Sequence, residues 1–222
     1  MKIIIANSNP IHLPIIKRIT DNHPNSFVIS EKKELTLELL TDIKPIYIFF
    51  PHWSYIIPKE IYVNFNCIVF HMTDLPYGRG GSPLQNLIER GILTTKLSAL
   101  RVGKGIDSGD IYLKKDLALY GTAEEIFLRT GAIIQEMIDE IITNEIKPFP
   151  QIGEAVVFQR RKPSQSDVSN IDNLNKIYDF IRMLDAEGYP QAFIETEFLR
   201  FEFSRASLKK EGILADVRII KK

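Results

Sequence analysis

A single cysteine, Cys67, stands in the 222 residues, so no disulfide can form within the chain and no cysteine cluster can hold zinc. Cys67 lies in an apolar run and reads as a small buried hydrophobe. Net charge is also missing, because Lys plus Arg and Asp plus Glu balance at 28 each. A balanced chain exerts no bulk attraction on nucleic acid or an anionic membrane, and neither is expected as a partner. The N-terminal stretch MKIIIANSNPIHLP holds too short an apolar run for a signal peptide or a membrane span, so a cytoplasmic location is expected. No G-x-G-x-x-G follows the first predicted strand, and no phosphate-binding P-loop, H-E-x-x-H or nucleophile elbow occurs. Dinucleotide binding of the usual kind, P-loop nucleotide hydrolysis, zinc proteolysis and serine-hydrolase chemistry therefore lack their signatures. No metal site is expected.

What is present is ordinary globular material, 45% hydrophobic and 25% charged. Short apolar runs at Ile3–Ala6, Phe27–Ile29, Pro45–Phe50 and Cys67–Phe70 read as strands, and the continuous run 45–50 suits a strand buried on both faces. Leu13, Ile16 and Ile19 fall at helical spacing. A short helix is expected over Lys33–Leu40, and another from Pro83 to about Arg90 with Ser82 as its N-cap. Strand-like runs follow at Thr94–Val102 and Ile111–Leu119. Thr122 and Glu125 then form a capping box for a helix whose apolar face carries Ile126, Ile133, Ile134, Met137, Ile138 and Ile141. The composition shifts after Asn144, and KPFPQIGE reads as a surface connection. Beyond it come a strand near 155–160, a helix near 174–185 and strand-like runs at 192–195, 200–204 and 214–220. Strands alternating with helices, followed mainly by strands, indicate an α/β fold with a small C-terminal helix plus an antiparallel β region. The expected division is 1–150 and 151–222.

The chemistry-bearing block is FHMTDLPYGRGGSP followed by RVGKGIDSGDIYL. His71 ends a buried strand and opens a Gly-rich loop, a place where α/β sheets build sites and where an imidazole suits acid–base work. Asp107 and Asp110 lie on a second Gly-rich loop, and a carboxylate there could orient His71. The alternative is a polar turn around a structural histidine. Trp53, Tyr55 and His52 form an aromatic loop segment for which packing on the core is the simpler reading.

This block resembles the formyltransferases that use N10-formyltetrahydrofolate, the enzymes acting on initiator methionyl-tRNA, glycinamide ribonucleotide and nucleotide-linked amino sugars. HMTDLPYGRGGSP is similar to their S-L-L-P-x-x-R-G-x-x-P loop, and GIDSGD to their G-[LI]-D-T-G-D loop. The resemblance implies a Rossmann-like formyltransferase core and N10-formyltetrahydrofolate as formyl donor. It implies His71 and Asp107 as catalytic residues, with Ser54, Tyr55, Ile56, Val102 and Asp107 on the folate side. Ser54, Ile56 and Val102 would act through main-chain groups. The chain departs from the family at Val69, where an Asn normally stabilises the tetrahedral oxyanion. A charged His71, Thr73, Asn86 or a water could take that part.

The tail segments VVFQRRKPSQSDV and FIRMLDAEGYPQAFIE resemble sugar N-formyltransferases, most closely the type found in pseudaminic acid-like sugar biosynthesis. This implies a nucleotide-linked acceptor, a UDP-4-amino-4,6-dideoxy sugar. Thr73, Arg79, Gly80, Gly81, Arg160, Arg161 and Arg182 would bind it, since arginine forks and loop amides suit phosphate. Methionyl-tRNA formylation is the alternative enzyme reading, weighed down by the short tail and the zero net charge. A non-catalytic folate or nucleotide binder is the alternative outside enzymes. A homodimer through the C-terminal β region is a further expectation.

Overall fold

A computed structural model describes residues 1–222. In chain order the strands are β1 (Ile3–Asn7), β2 (Ser26–Ile29), β3 (Tyr47–His52), β4 (Cys67–His71), β5 (Tyr77–Gly80), β6 (Thr94–Arg101), β7 (Ile111–Ala118), β8 (Val156–Phe158), β9 (Ala192–Glu195), β10 (Leu199–Lys209) and β11 (Gly212–Lys221). The helices are α1 (Leu13–Asn22), α2 (Leu37–Ile43), α3 (Lys59–Tyr62), α4 (Pro83–Glu89), α5 (Ala123–Asn144) and α6 (Leu174–Arg182). The expected α/β class with an antiparallel C-terminal sheet is what the chain adopts. No helix is long and apolar enough to cross a membrane.

The chain divides into two compact units. The first comprises residues 1–80, 95–117 and 127–157, and the second 81–94, 118–126 and 158–222. This differs from the single cut near residue 150 that composition suggests. The reason lies in hydrogen bonds between distant segments of the second unit. Gly81 N–H donates to Phe158 O, and Asn86 Nδ2 donates to Gln159 O. Gln85 Nε2 donates to Met183 O, and the Arg182 guanidinium donates to Leu119 O and Gly121 O.

The first unit is built on a six-stranded sheet in the order β2-β1-β3-β4-β6-β7. β1 pairs in parallel with β2 and β3, β3 in parallel with β4, and β4 antiparallel with β6. All five residues of β1 are buried, as expected of a parallel strand covered on both faces. Alternation assigns the faces. Ile3, Ile5, Phe49 and Ile68 pack with Ile15, Ile16 and Ile19 of α1 and with Ile134, Met137, Ile138 and Ile141 of α5. Ile4, Ala6, Ile48, Phe50 and Cys67 pack with Leu40 of α2 and Ile61 of α3 on the other face. Each such buried aliphatic side chain contributes roughly 1.5–3 kcal/mol. Burial pushes the Cys67 thiol up to about 12, which leaves it an inert core residue.

In the second unit, β9, β10 and β11 form an antiparallel sheet in the order β11-β10-β9, against which α6 packs. The capping box at α5 is present, with Thr122 N–H donating to Glu125 Oε2 at 2.7 Å and Glu125 N–H to Thr122 Oγ1 at 3.2 Å. Three local expectations change. The helix expected over 33–40 is a 3-10 turn at Lys32–Glu34 and then α2, because Thr36 caps α2 by accepting from Leu39 N–H. Ser82 precedes α4 without a side-chain cap, and its Oγ accepts from Arg161 N–H instead. The Gly-rich stretch Tyr77–Gly80, expected as loop, is a strand paired with β8.

His12 is a buried member of the first unit, its ring 5.6 Å from that of His52, which in turn meets Phe127 edge-on. Desolvation, then the neighbouring His52, lowers His12 to about 4, and desolvation lowers His52. The unfolded chain binds a proton at each histidine near pH 6.5, whereas the folded chain holds His12 neutral down to about 4. Stability is therefore full above pH 6.5 and falls as the pH drops from 6.5 towards 4, by about 2–3 kcal/mol from His12. Urea midpoints measured at pH 7 and pH 5 should show this fall, and His12→Asn should flatten it. An unchanged pH slope in the variant would contradict the assignment.

Candidate functional site

β4, buried at Cys67 and Ile68 and half-buried at Val69 and Phe70, ends on the buried His71. The loop after it contains a cis Leu75–Pro76 bond and turns back as β5, bringing the Gly78 carbonyl to the His71 ring. His71 Nε2 lies 2.7 Å from Gly78 O. A carbonyl can only accept, so Nε2 carries the hydrogen, and Nδ1 is the nitrogen left for proton exchange. Asp107 Oδ2 stands 3.5 Å from Nδ1. The same oxygen accepts from Gly80 N–H at 2.9 Å. Asp107 thus ties the loop after β4 to the 102–110 loop and sets a negative charge beside the ring.

Two features hold the 102–110 loop in this shape. Asp107 adopts φ +49°, a left-handed conformation that Asp tolerates better than most residues. Gly109 is required for another reason, since a Cβ there would overlap Arg101 O. The loop is closed at its base by Arg101 N–H donating to Asp110 O at 2.8 Å and Val102 N–H to Cys67 O at 2.9 Å. An open cleft of about 410 Å³ lies beside it, lined by Tyr62, Val63, Arg101, Val102, Gly103, Gly109 and Asp110. No cluster of three or more His, Cys, Asp or Glu suitable for a metal occurs.

The 53–57 segment follows β3. Ser54 N–H donates to Ser8 Oγ at 3.0 Å, and Val102 N–H is committed to Cys67 O, so what the main chain of these two residues can offer a ligand is a carbonyl. Tyr55 stacks edge-on against Trp53, with Lys32 Nζ 5.9 Å from its ring, and Ile56 is 90% exposed. Trp53 Nε1 is buried without a protein partner.

The residues expected to bind the acceptor fare differently. Thr73 is fully buried, and its Oγ1 faces Gly78 O at 3.4 Å. Arg79 directs Nε and Nη2 to Gln151 Oε1. The Gly80 amide is spent on Asp107, and the Gly81 amide on Phe158 O. Neither is left for the anion expected there. Arg161 pairs with Glu89 and donates to Gln165 O, and Arg182 is buried on two backbone carbonyls and Asp179. Arg182 is structural, because its fork is engaged inside the second unit, and Arg161 is held there through Nη1 and Nη2 while its buried Nε has no partner. Arg160 remains exposed. Asn86 cannot stand in for the missing family Asn, since its Nδ2 donates to the Gly81, Ser82 and Gln159 carbonyls. Val69 packs among Leu75, Leu100 and Ile111.

Gln151 also belongs to this site, although no motif marks it. Its Nε2 donates to Asp107 O and Gly109 O, both at 2.8 Å. It lies in the Pro-flanked connection KPFPQIGE, where no periodicity singles it out.

Comparison with known proteins places these features. A family model described as the methionyl-tRNA formyltransferase C-terminal domain matches residues 163–220. A solved structure described as methionyl-tRNA formyltransferase from Clostridium thermocellum is 57% identical, covers 100% of both chains and superposes with a TM-score of 0.98. The methionyl-tRNA formyltransferase of Wolinella succinogenes is 25% identical over 186 residues, 81% of this chain and 60% of that protein. The chain spans only about 60% or less of the length of the first curated relatives it matches. A 4-N formyltransferase structure from Francisella tularensis is far more distant, at 17% identity over 88% of this chain and 93% of that one, with a TM-score of 0.67, a likeness of fold alone.

These findings overturn the sugar N-formyltransferase assignment and the nucleotide-linked amino-sugar acceptor, together with the expectation that nucleic acid is excluded as a partner. Tail segments read as sugar-specific fall largely within a methionyl-tRNA formyltransferase domain. A zero total charge carries little weight because it averages over unlike surfaces.

Gly109→Ala tests the geometry of the loop. Its methyl must push the Arg101 carbonyl aside, so urea unfolding should show a loss of about 1–3 kcal/mol. An unchanged midpoint would contradict the close approach.

Proposed function

The chain belongs to the methionyl-tRNA formyltransferase family, and from that premise we propose that it transfers a formyl group from N10-formyltetrahydrofolate to the α-amino group of initiator methionyl-tRNA. The observation that carries this reading is the 57% identity, over the whole of both chains, to the Clostridium thermocellum structure. The residues present fit the donor. Exposed Tyr55 and Ile56 and the orphaned Trp53 Nε1 suit a flat ring bearing carbonyl and ring-nitrogen acceptors.

The bound donor supplies an activated formyl carbon next to an amine leaving group. His71 Nδ1 removes the proton that the attacking amine sheds as its C–N bond forms. Gly78 O and Asp107 Oδ2 bracket the imidazolium that results. His71 then returns the proton to the leaving nitrogen as the old C–N bond breaks, so the site ends as it began. Val69 supplies no side-chain hydrogen bond to the oxyanion, and that stabilisation falls to the imidazolium or to water. One missing donor of this kind costs about 10²–10³ in rate elsewhere.

The tRNA partner finds charge on the β10–β11 hairpin. Residues 199–222 hold seven Lys or Arg against three Asp or Glu, a local net charge of +4. Arg205, Lys209, Lys210, Arg218, Lys221 and Lys222 are exposed there. Phosphate contacts of this kind make binding fall with salt. With that acceptor the reading carries a cytoplasmic location.

Purified protein incubated with N10-formyltetrahydrofolate and initiator methionyl-tRNA should yield N-formylmethionine on hydrolysis of the ester. His71→Ala should reduce the rate by about 10²–10⁴. A wild-type chain that yields no N-formylmethionine would overturn the reading. Lys209→Glu with Lys221→Glu should raise the KM for tRNA and flatten its salt dependence, with kcat unchanged. An unaltered salt slope would remove the hairpin from the interface.

A further inference from the structure

We propose that Gln151 is a positioning residue which, with Arg79, locks the Asp107 carboxylate against His71. The Gln151 amide is fully committed in both directions. Its Oε1 accepts from Arg79 Nε at 3.1 Å and Nη2 at 2.8 Å, while its Nε2 donates to the main-chain carbonyls of Asp107 and Gly109. Arg79 immediately precedes Gly80, whose amide holds Asp107 Oδ2. A closed circuit therefore runs from Arg79 through Gln151 to the Asp107 backbone, through the Asp107 side chain to Gly80, and back along one peptide bond.

The segment bearing Gln151 is itself pinned on both sides. Phe149 exchanges two backbone hydrogen bonds with Ile111, at 2.8 and 2.9 Å, directly after the Asp107 loop. Val156 N–H donates to Pro76 O at 3.2 Å, in the loop that follows His71. Gln151 thus sits between anchors on the two loops it joins, and its own side chain closes the remaining gap. Asp107 needs such support because its φ of +49° lies in a region that L residues seldom occupy. Two donors on the carbonyls of residues 107 and 109 hold the turn in that conformation. A base displaced by about 1 Å can lose on the order of 10²-fold in rate.

The kinetic consequence rests on the formyl-transfer reading, whereas the clamp does not. The test uses Gln151→Glu, which keeps the acceptor for Arg79 and nearly the same shape but cannot donate to the two carbonyls, alongside Gln151→Ala. Formyl transfer to methionyl-tRNA and hydrogen exchange at the Gly80 amide are measured on the full chain. In Gln151→Glu, kcat should fall about 10–100-fold with the KM values for both substrates within about twofold. Gly80 exchange should quicken by roughly tenfold or more while the amides of β1 and β3 keep their protection. In an active enzyme, either kcat or Gly80 exchange at the wild-type value overturns the proposal. If wild-type protein transfers no formyl group, the functional reading fails and exchange alone decides. Faster Gly80 exchange then supports the clamp, and unchanged exchange sinks it.

Discussion

The Asp107 carboxylate is the constraint around which the site is arranged. One oxygen, Oδ2, accepts the Gly80 amide and stands beside His71 Nδ1. A histidine held only by its Nε2 contact to Gly78 O would have no side chain beside its other nitrogen. A loop held only by its ends would not keep a left-handed aspartate in place. The carboxylate meets both needs because a charged acceptor makes stronger hydrogen bonds than a neutral one.

The sheet explains why these pieces meet. β4 is the last of the parallel strands and the first to take an antiparallel neighbour, β6. The loop leaving β4 and the loop between β6 and β7 therefore belong to adjacent strands of one rigid sheet. Ile68 and Phe49 pack one face, and Cys67 and Phe50 the other, which fixes β4 while its last residue carries the imidazole. The placement of His71 is borrowed from apolar packing several residues away.

The parts legible in the sequence were those with a local signature. Continuous apolar runs marked the buried strands, Thr122 and Glu125 marked the start of α5, and two Gly-rich loops marked the place where His71 and Asp107 meet. What stayed hidden depended on partners far apart in the chain. Nothing in the sequence separates Arg161 and Arg182 from ligands for phosphate, because an arginine side chain is the same whether it meets phosphate, Glu89 or the Leu119 carbonyl. The partners of the Gly80 and Gly81 amides, Asp107 and Phe158, are likewise distant in the chain. Gln151 gave no signal, since a polar residue between prolines looks like any surface turn until its two carbonyl acceptors are seen. Total charge hides local charge: a chain with zero net charge still carries +4 over residues 199–222.

The protonation pattern of the His71 ring tests this account most directly. Two-bond proton–nitrogen correlation spectra of protein labelled with 15N-histidine distinguish the two neutral tautomers. With the ring neutral, the account predicts the hydrogen on Nε2, directed to Gly78 O, and a lone pair on Nδ1. A hydrogen on Nδ1 in the neutral ring would contradict it, because the nitrogen assigned to proton transfer would already be occupied.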